Sequence, residues 1–227
     1  MNVFITGTDT GVGKTLVTGI LAHYLQATSK VVTQKWVQTG STYPAEDVLT
    51  HYSIMGKSLS EFEPYMKAIC PYVFSFAASP HYAAQKENAL ISAQRLMTTY
   101  QALSNHFDTV IVEGSGGFFV PLTATQTTAD CVEQLALPTL LVIGNKLGCI
   151  NHTLLTIEAL SLRKIPILGA VVTHPYASED GEVEQSNCTY FKENLSIPVL
   201  GILPHTTDLT VLKNRFLPIG KTIQSLL

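Results

Sequence analysis

A doubly wound α/β fold, with a mostly parallel sheet flanked by helices on both faces, is what this sequence predicts. Three observations predict it. Short β-branched runs alternate with longer helical stretches, the runs are apolar at consecutive positions, and a glycine-rich loop joins the first run to the first helix. Strands covered by helices on both faces need apolar side chains pointing both ways, whereas half-exposed strands alternate. Strand–helix–strand alternation then calls for right-handed crossovers between parallel neighbours. The 227 residues suit one such domain over 1–227.

The elements follow in order. Strands are predicted over 2–6, 31–37, 109–113, 139–144, 168–173 and 199–203, and helices over 14–27, 89–106, 151–164 and 183–195. The segment 56–80 reads least clearly, with Pro64, Pro71 and Pro80 among several aromatics. Such an excursion is either a substrate-covering segment or a surface loop that packs its own aromatics.

Between the first strand and first helix lies Gly7-Thr8-Asp9-Thr10-Gly11-Val12-Gly13-Lys14-Thr15. Small residues let the backbone curl so that N–H groups face phosphate oxygens. The helix start adds partial positive charge and unpaired donors. Lys14 is expected to reach the β- and γ-phosphates and Thr15 to offer its hydroxyl to Mg²⁺, so the fold is of P-loop NTPase type. The strict pattern G-x-x-x-x-G-K-[ST] would put glycine at position 8; here it is one residue earlier, at Gly7.

Glu113 ends an apolar strand, and ligands of open parallel sheets lie beyond such ends. It is a candidate Mg²⁺ carboxylate; the plainer reading is a solvent-facing strand-end acid. Gly114-Ser115-Gly116-Gly117 follows, as close backbone approach to a ligand or as a tight turn. Asp47 is either a second metal ligand or a capping carboxylate, with Glu46 competing for the role. Lys35, inside the second strand, either neutralises phosphate charge or guards a sheet edge.

Composition narrows the classes. Hydrophobic residues make up 46% and charged residues 14%, net charge is −3, and Lys and Arg are scattered singly, so nucleic-acid binding has little electrostatic support. No run approaches the ~18 apolar residues of a membrane span, and no basic and apolar leader opens the chain; the cytoplasm is expected. Cys70, Cys131, Cys149 and Cys188 lack C-x-x-C pairing or zinc-like spacing and read as buried thiols.

Together these pieces resemble the dethiobiotin synthetase family. The carrying residues are Gly7-Thr8-Asp9-Thr10-x-Val12-Gly13-Lys14-Thr15, Lys35 with Thr39-Gly40-Ser41, Ser79-Pro80-His81, Val112-Glu113-Gly114-x-Gly116-Gly117 and Lys146-Leu147-Gly148-Cys149-Ile150-Asn151-His152. They run in order to about Gly201, and the last string is the most specific. The family's loop carries the same extra residue. The resemblance implies ligation of 7,8-diaminopelargonic acid and CO₂ (bicarbonate) with ATP through a phosphorylated carbamate, releasing ADP and phosphate. It implies Lys14 and Lys35 as catalytic cations. Mg²⁺ would be held by Thr15, Asp47 and Glu113, and nucleotide contacts made by Gly11, Val12, Gly13, Gly114, Ser115 and Gly116. Thr39 aligns with a family serine that contacts the diamine. Leu147, Gly148, Cys149, Ile150 and Asn151 lead into a helix whose start suits the substrate carboxylate across a homodimer interface, and Tyr190 is a further candidate there. A plain helix N-cap is the compatible bland role for Asn151.

The sequence also departs from the family pattern. Thr173-His174 stands where an asparagine usually reads adenine, the later base loop corresponds to Pro204-His205-Thr206, and Gly11 replaces an acidic residue. A lost bidentate amide weakens base discrimination, so ATP is expected to be only weakly preferred, with GTP or CTP as further candidates. Two other readings compete. A partitioning or septum-placement ATPase would usually carry an early loop lysine, which Thr8-Asp9-Thr10 lacks. A non-catalytic sensor domain would tend to lose Lys35 or a metal ligand.

Overall fold

The structure, a computed structural model, describes residues 1–177 and 181–227. Six strands form a parallel sheet: β1 (Asn2–Gly7), β2 (Val31–Lys35), β5 (Thr109–Gly117), β6 (Thr139–Gly144), β7 (Ile167–Thr173) and β8 (Val199–Leu203). Their order is β2-β5-β1-β6-β7-β8. β1 therefore lies in the middle, and the chain leaves it toward β2 on one side and reaches β6 on the other. This is the strand arrangement that opens a crevice at the carboxyl ends. Val3, Phe4 and Ile5 of β1, Val110 to Val112 of β5 and Leu140 to Ile143 of β6 are fully buried. Each such large side chain stabilises the fold by about 1.5–3 kcal/mol, which is why these runs do not alternate.

The second strand corrects the expectation of a continuous run over 31–37. β2 stops at Lys35, and the chain enters β3 (Val37–Thr39), which pairs with β4 (Tyr72–Phe74) in a separate two-stranded sheet. Trp36 is the pivot. Its ring packs 5.2 Å from that of Phe4, and its Nε1 donates to Gln34 Oε1 at 3.1 Å. The fifth strand corrects the other way. The glycine run after Glu113 is neither turn nor open loop but continues β5, with Gly7 level with Gly117. At Gly114 a Cβ would come within 2.7 Å of Phe4 Cζ, so this glycine serves close packing in the core.

Helices cover both faces. α1 (Lys14–Leu25) and α5 (Ala93–Ser104) fall within the predicted stretches, while α7 (Cys149–Leu162) and α8 (Glu182–Asn194) overlap theirs but start and end a residue or two earlier. α2 (Glu46–Met55) begins where Asp47 could serve as a capping carboxylate, while the short α3 (Met66–Ile69), α4 (Pro80–Lys86), α6 (Thr128–Leu135) and α9 (Leu209–Leu226) are unpredicted. The excursion 56–80 contains a 3₁₀ helix, Leu59–Tyr65, then α3 and β4. Phe62 stacks on Tyr52 at 4.3 Å, and Tyr65 meets the Phe107 ring edge-on. Gln34 Nε2 on β2 donates to the Ala68 carbonyl at 2.8 Å. The excursion therefore covers the β2 edge, which would otherwise present unpaired strand groups. All four cysteines are free and buried. Among the described residues no helix is long and apolar enough to cross a membrane.

Candidate functional site

β1 carries the chain to the carboxyl edge of the sheet, and the loop after it turns back into α1. Thr8 N–H donates to the Val142 carbonyl at 3.0 Å, so the loop leaves the sheet still tied to β6. Gly13 is the N-cap of α1 with φ 88°, a left-handed conformation that favours glycine. No side chain caps this helix start, so none competes with a ligand for its first-turn N–H groups.

Lys14 is buried, and its Nζ donates to the Asp9 carbonyl at 2.8 Å across the loop. Burial, and then the nearby Lys35 charge, push its ammonium down to about 8. The Asp9 carboxylate meets Lys146 Nζ at 2.7 Å. That hydrogen bond holds Asp9 below its ordinary range and Lys146 above its own. The extra loop residue region is thus clamped to the segment that precedes α7.

Across the cleft, three elements aim charge at one point. Lys35 Nζ lies 2.7 Å from Asp47 Oδ2 at the start of α2 and 2.8 Å from Glu113 Oε1 on β5. The same Oε1 accepts from Thr15 Oγ1 at 3.0 Å, and Glu113 Oε2 lies 2.6 Å from His51 Nε2. Lys35 and Glu113 are almost wholly buried. Burial alone would raise the Glu113 carboxyl, but Lys35 and then His51 override it and hold it well below the carboxylate range. Burial alone would lower Lys35, but Glu113 and Asp47 hold it above its ordinary value. β2 is an edge strand, yet Lys35 is turned inward on carboxylates and does not guard that edge. Asp47 sits in the first turn of α2, whose N-cap is Ala45, and its acid group goes to Lys35.

These groups line a cleft of ≈ 870 Å³. Gly11, Gly13, Lys14, Thr15, Lys35, Thr39, Asp47, Glu113, Ser115 and Gly116 border it, as does the end of the excursion, Ala77 to Pro80. A smaller cavity of ≈ 450 Å³ between α1 and α9 has no carboxylate in its wall. The cleft offers hard oxygen donors: the Thr15 hydroxyl and the Asp47 and Glu113 carboxylates. Among the described residues no three His, Cys, Asp or Glu side chains form a closed metal cage. That donor set fits Mg²⁺, which takes one or two carboxylates and completes its shell with water and substrate phosphates.

Other anticipated residues lie elsewhere. Val12 is buried in the core. The Thr173 hydroxyl lies 2.7 Å from the Val12 carbonyl and 3.2 Å from that of Ile143. It is a strut between β7 and the phosphate loop. His205 Nδ1 lies 3.2 Å from the His174 carbonyl oxygen, while Pro204 and His205 are exposed and Thr206 is half-buried. α7 begins at Cys149 with Gly148 as its N-cap, so Asn151 is two residues inside the helix and is not its cap. Leu147 and Asn151 are exposed; Cys149 is buried, and its N–H donates to the Lys146 carbonyl. None of residues 147–151 borders the cleft within this chain. Tyr190 is half-buried, with its ring against Phe191. His51 was not anticipated. Its signal was spacing: it follows Asp47 by four residues, which on a helix puts both on one face.

A family model described as an AAA domain matches residues 1–212. The chain is 40% identical over 193 residues to an ATP-dependent dethiobiotin synthetase (BioD 2) of Pasteurella multocida, covering 85% of this chain and 90% of the relative. A protein of the same name from Haemophilus influenzae is 42% identical, over 74% of this chain and 88% of the relative. Among solved structures, a plasmid partition protein of Borrelia burgdorferi aligns at TM-score 0.61 with 13% identity, covering 100% and 98% of the two chains. The cell division ATPase MinD of Pyrococcus furiosus aligns at 0.57 with 19% identity, covering 100% and 99%. At these identities the structural likeness is one of fold.

Proposed function

The chain belongs to the dethiobiotin synthetase family, and on that footing we propose that it closes the cyclic urea of dethiobiotin from 7,8-diaminopelargonic acid, CO₂ and ATP. The observation that carries this reading is the convergence of Lys14, Lys35, Thr15, Asp47 and Glu113 on one cleft at the phosphate loop. One substrate amine captures CO₂ as a carbamate. A carbamate oxygen displaces ADP from the γ-phosphorus, giving a carbamic–phosphoric anhydride. The second amine attacks the carbonyl carbon, loses a proton and expels phosphate. Phosphoryl transfer of this kind depends on positioning and charge stabilisation. Lys14 steadies the γ-phosphate, and Lys35 faces the carbamate anion. Thr15, Asp47 and Glu113 hold Mg²⁺, which when bound neutralises phosphate charge. Thr39, on the cleft wall, meets the diamine.

The substrate carboxylate suits the uncapped start of α7. The family resemblance supports a role for residues 147–151 at the site of a second copy, with a homodimer as the working unit, and their place outside their own chain's cleft agrees with that reading. The exposed Leu147 just before α7, with Leu155 and Leu162 on it, supports such an interface. Base discrimination is weak, because Thr173 offers no amide and its hydroxyl faces backbone carbonyls.

The test is phosphate release with each component omitted in turn. Release should require both diamine and bicarbonate. No release with saturating nucleotide, diamine, bicarbonate and Mg²⁺ overturns the reading. Comparing kcat/KM for ATP, GTP and CTP tests the base claim; an ATP preference of about a hundredfold or more defeats it.

A further inference from the structure

His51 is wholly buried, and none of the steps above uses it. Its imidazole bridges two strands from a helix: Nε2 lies 2.6 Å from Glu113 Oε2 on β5, and Nδ1 lies 3.1 Å from Thr33 Oγ1 on β2. A carboxylate oxygen accepts only, so Nε2 is the donor in that contact whichever partner donates at Nδ1. The backbone that carries the ring is closely held. α2, which carries it, packs so closely on α1 that a Cβ on Gly19 would stand 2.8 Å from Ile54 Cδ1 and 3.4 Å from His51 Cα.

The two oxygens of Glu113 therefore have separate duties. Oε2 accepts from His51 Nε2, while Oε1 accepts from Thr15 Oγ1 and Lys35 Nζ, so a cation bound by Glu113 takes Oε1 in place of Lys35. We infer that His51 is a positioning residue: by occupying Oε2 it makes Glu113 a one-oxygen ligand and so sets the cleft's preference for Mg²⁺ over the larger Ca²⁺. This rests on Glu113 as a cation ligand, as proposed above. The chemistry is general. Ca²⁺ accepts a bidentate carboxylate and six to eight oxygens, whereas Mg²⁺ holds to a near-ideal octahedron. A carboxylate with one oxygen taken by a fixed donor can serve the octahedron but cannot chelate. Partners that orient a ligand in this way are worth about ten- to a hundredfold in metal affinity.

The experiment is binding of a fluorescent, non-hydrolysable ATP analogue in EDTA, under Mg²⁺ titration and under Ca²⁺ titration. Wild type, His51→Leu, His51→Gln and Thr33→Val are compared, with a thermal melt of each. In His51→Leu the Mg²⁺ half-saturation should rise about tenfold or more while that for Ca²⁺ holds or falls, with binding in EDTA unchanged. His51→Gln returns an N–H donor and should recover most of the preference. Thr33→Val loosens the ring without touching the carboxylate and should shift the preference the same way by less; it stands as the primary test if His51→Leu melts early. Equal losses in EDTA, Mg²⁺ and Ca²⁺ would mean that His51 serves folding alone, and overturn the inference. An unchanged Mg²⁺/Ca²⁺ ratio in both His51→Leu and Thr33→Val overturns it too. Wild-type binding indifferent to either cation would instead overturn the cation site itself, and the inference with it.

Discussion

On the β2–β5 side of α1, the charged groups at the centre of the cleft are held by side chains: Lys35 by Asp47 and Glu113, and Glu113 also by Thr15 and His51. On the β7–β8 side the corresponding residues are exposed or tied to backbone, as Pro204, His205 and Thr173 are. The first side resembles a preorganised electrostatic site, where donors are fixed before charge develops and need no reorganisation. Among the described residues named there, the second offers no paired polar edge of the kind that distinguishes one base from another. On the function proposed above, the difference separates two tasks that share one ligand: buried charge would specify the phosphate end, and the base end would only be accommodated.

The largest effect should come from breaking the first side. Lys35→Met keeps the length of the side chain and removes its charge. It should cut turnover about a hundred- to a thousandfold, the scale for losing one preorganised charge contact. It should also cost about 3–5 kcal/mol of stability, because Glu113 is left buried with one partner fewer. Turnover and urea unfolding measure the two losses separately. The double variant Lys35→Met, Glu113→Gln should regain part of the stability and none of the turnover. If both losses are regained together, Lys35 serves folding and not transfer.

A pH profile sharpens the same contrast. Lys14, pushed down to about 8 by burial, is charged below that pH and loses its proton above it. A bound phosphate raises a neighbouring ammonium. Nucleotide binding should therefore take up a proton above pH 8, and affinity should fall by about tenfold per pH unit from there until the raised value is reached. Titration calorimetry in buffers of different ionisation enthalpy gives the proton count. No uptake at pH 9 would place the Lys14 charge outside the binding step.

Much of the architecture is written locally. The run 139–144 is continuously apolar and bounded by Pro138 and Asn145, and β6 has those ends. The phosphate loop could be read because its donors are backbone groups of adjacent residues. What could not be read is pairing across the chain. β3 is three residues long and exists only because β4 lies beside it. Lys35 was ambiguous because its partners stand at positions 47 and 113, on different elements. In α9 Pro218 interrupts the helical pattern, although Asp208 caps it at Thr210 and Val211. α6 does carry a local signal, a capping box from Thr127 to Asp130. His51 needed α2 to be known first.

The smallest effect belongs to the base side, and it decides what Thr173 is for. Its hydroxyl joins the phosphate loop to β7 through the Val12 carbonyl at 2.7 Å. Thr173→Val keeps the shape and deletes the donor. If Thr173 is a strut, the Val12 carbonyl loses a partner, at a cost of about 1 kcal/mol. KM should then rise by a similar factor for ATP, GTP and CTP, since the phosphates they share are what the loop holds. The ratios of kcat/KM among the three should not move. If Thr173 reads the base, those ratios change while phosphate affinity, measured with inorganic triphosphate, stays put. The two outcomes differ in kind, so even a small effect separates them. A changed ratio would restore to the β7–β8 side a recognition role that its exposed and backbone-tied groups do not support.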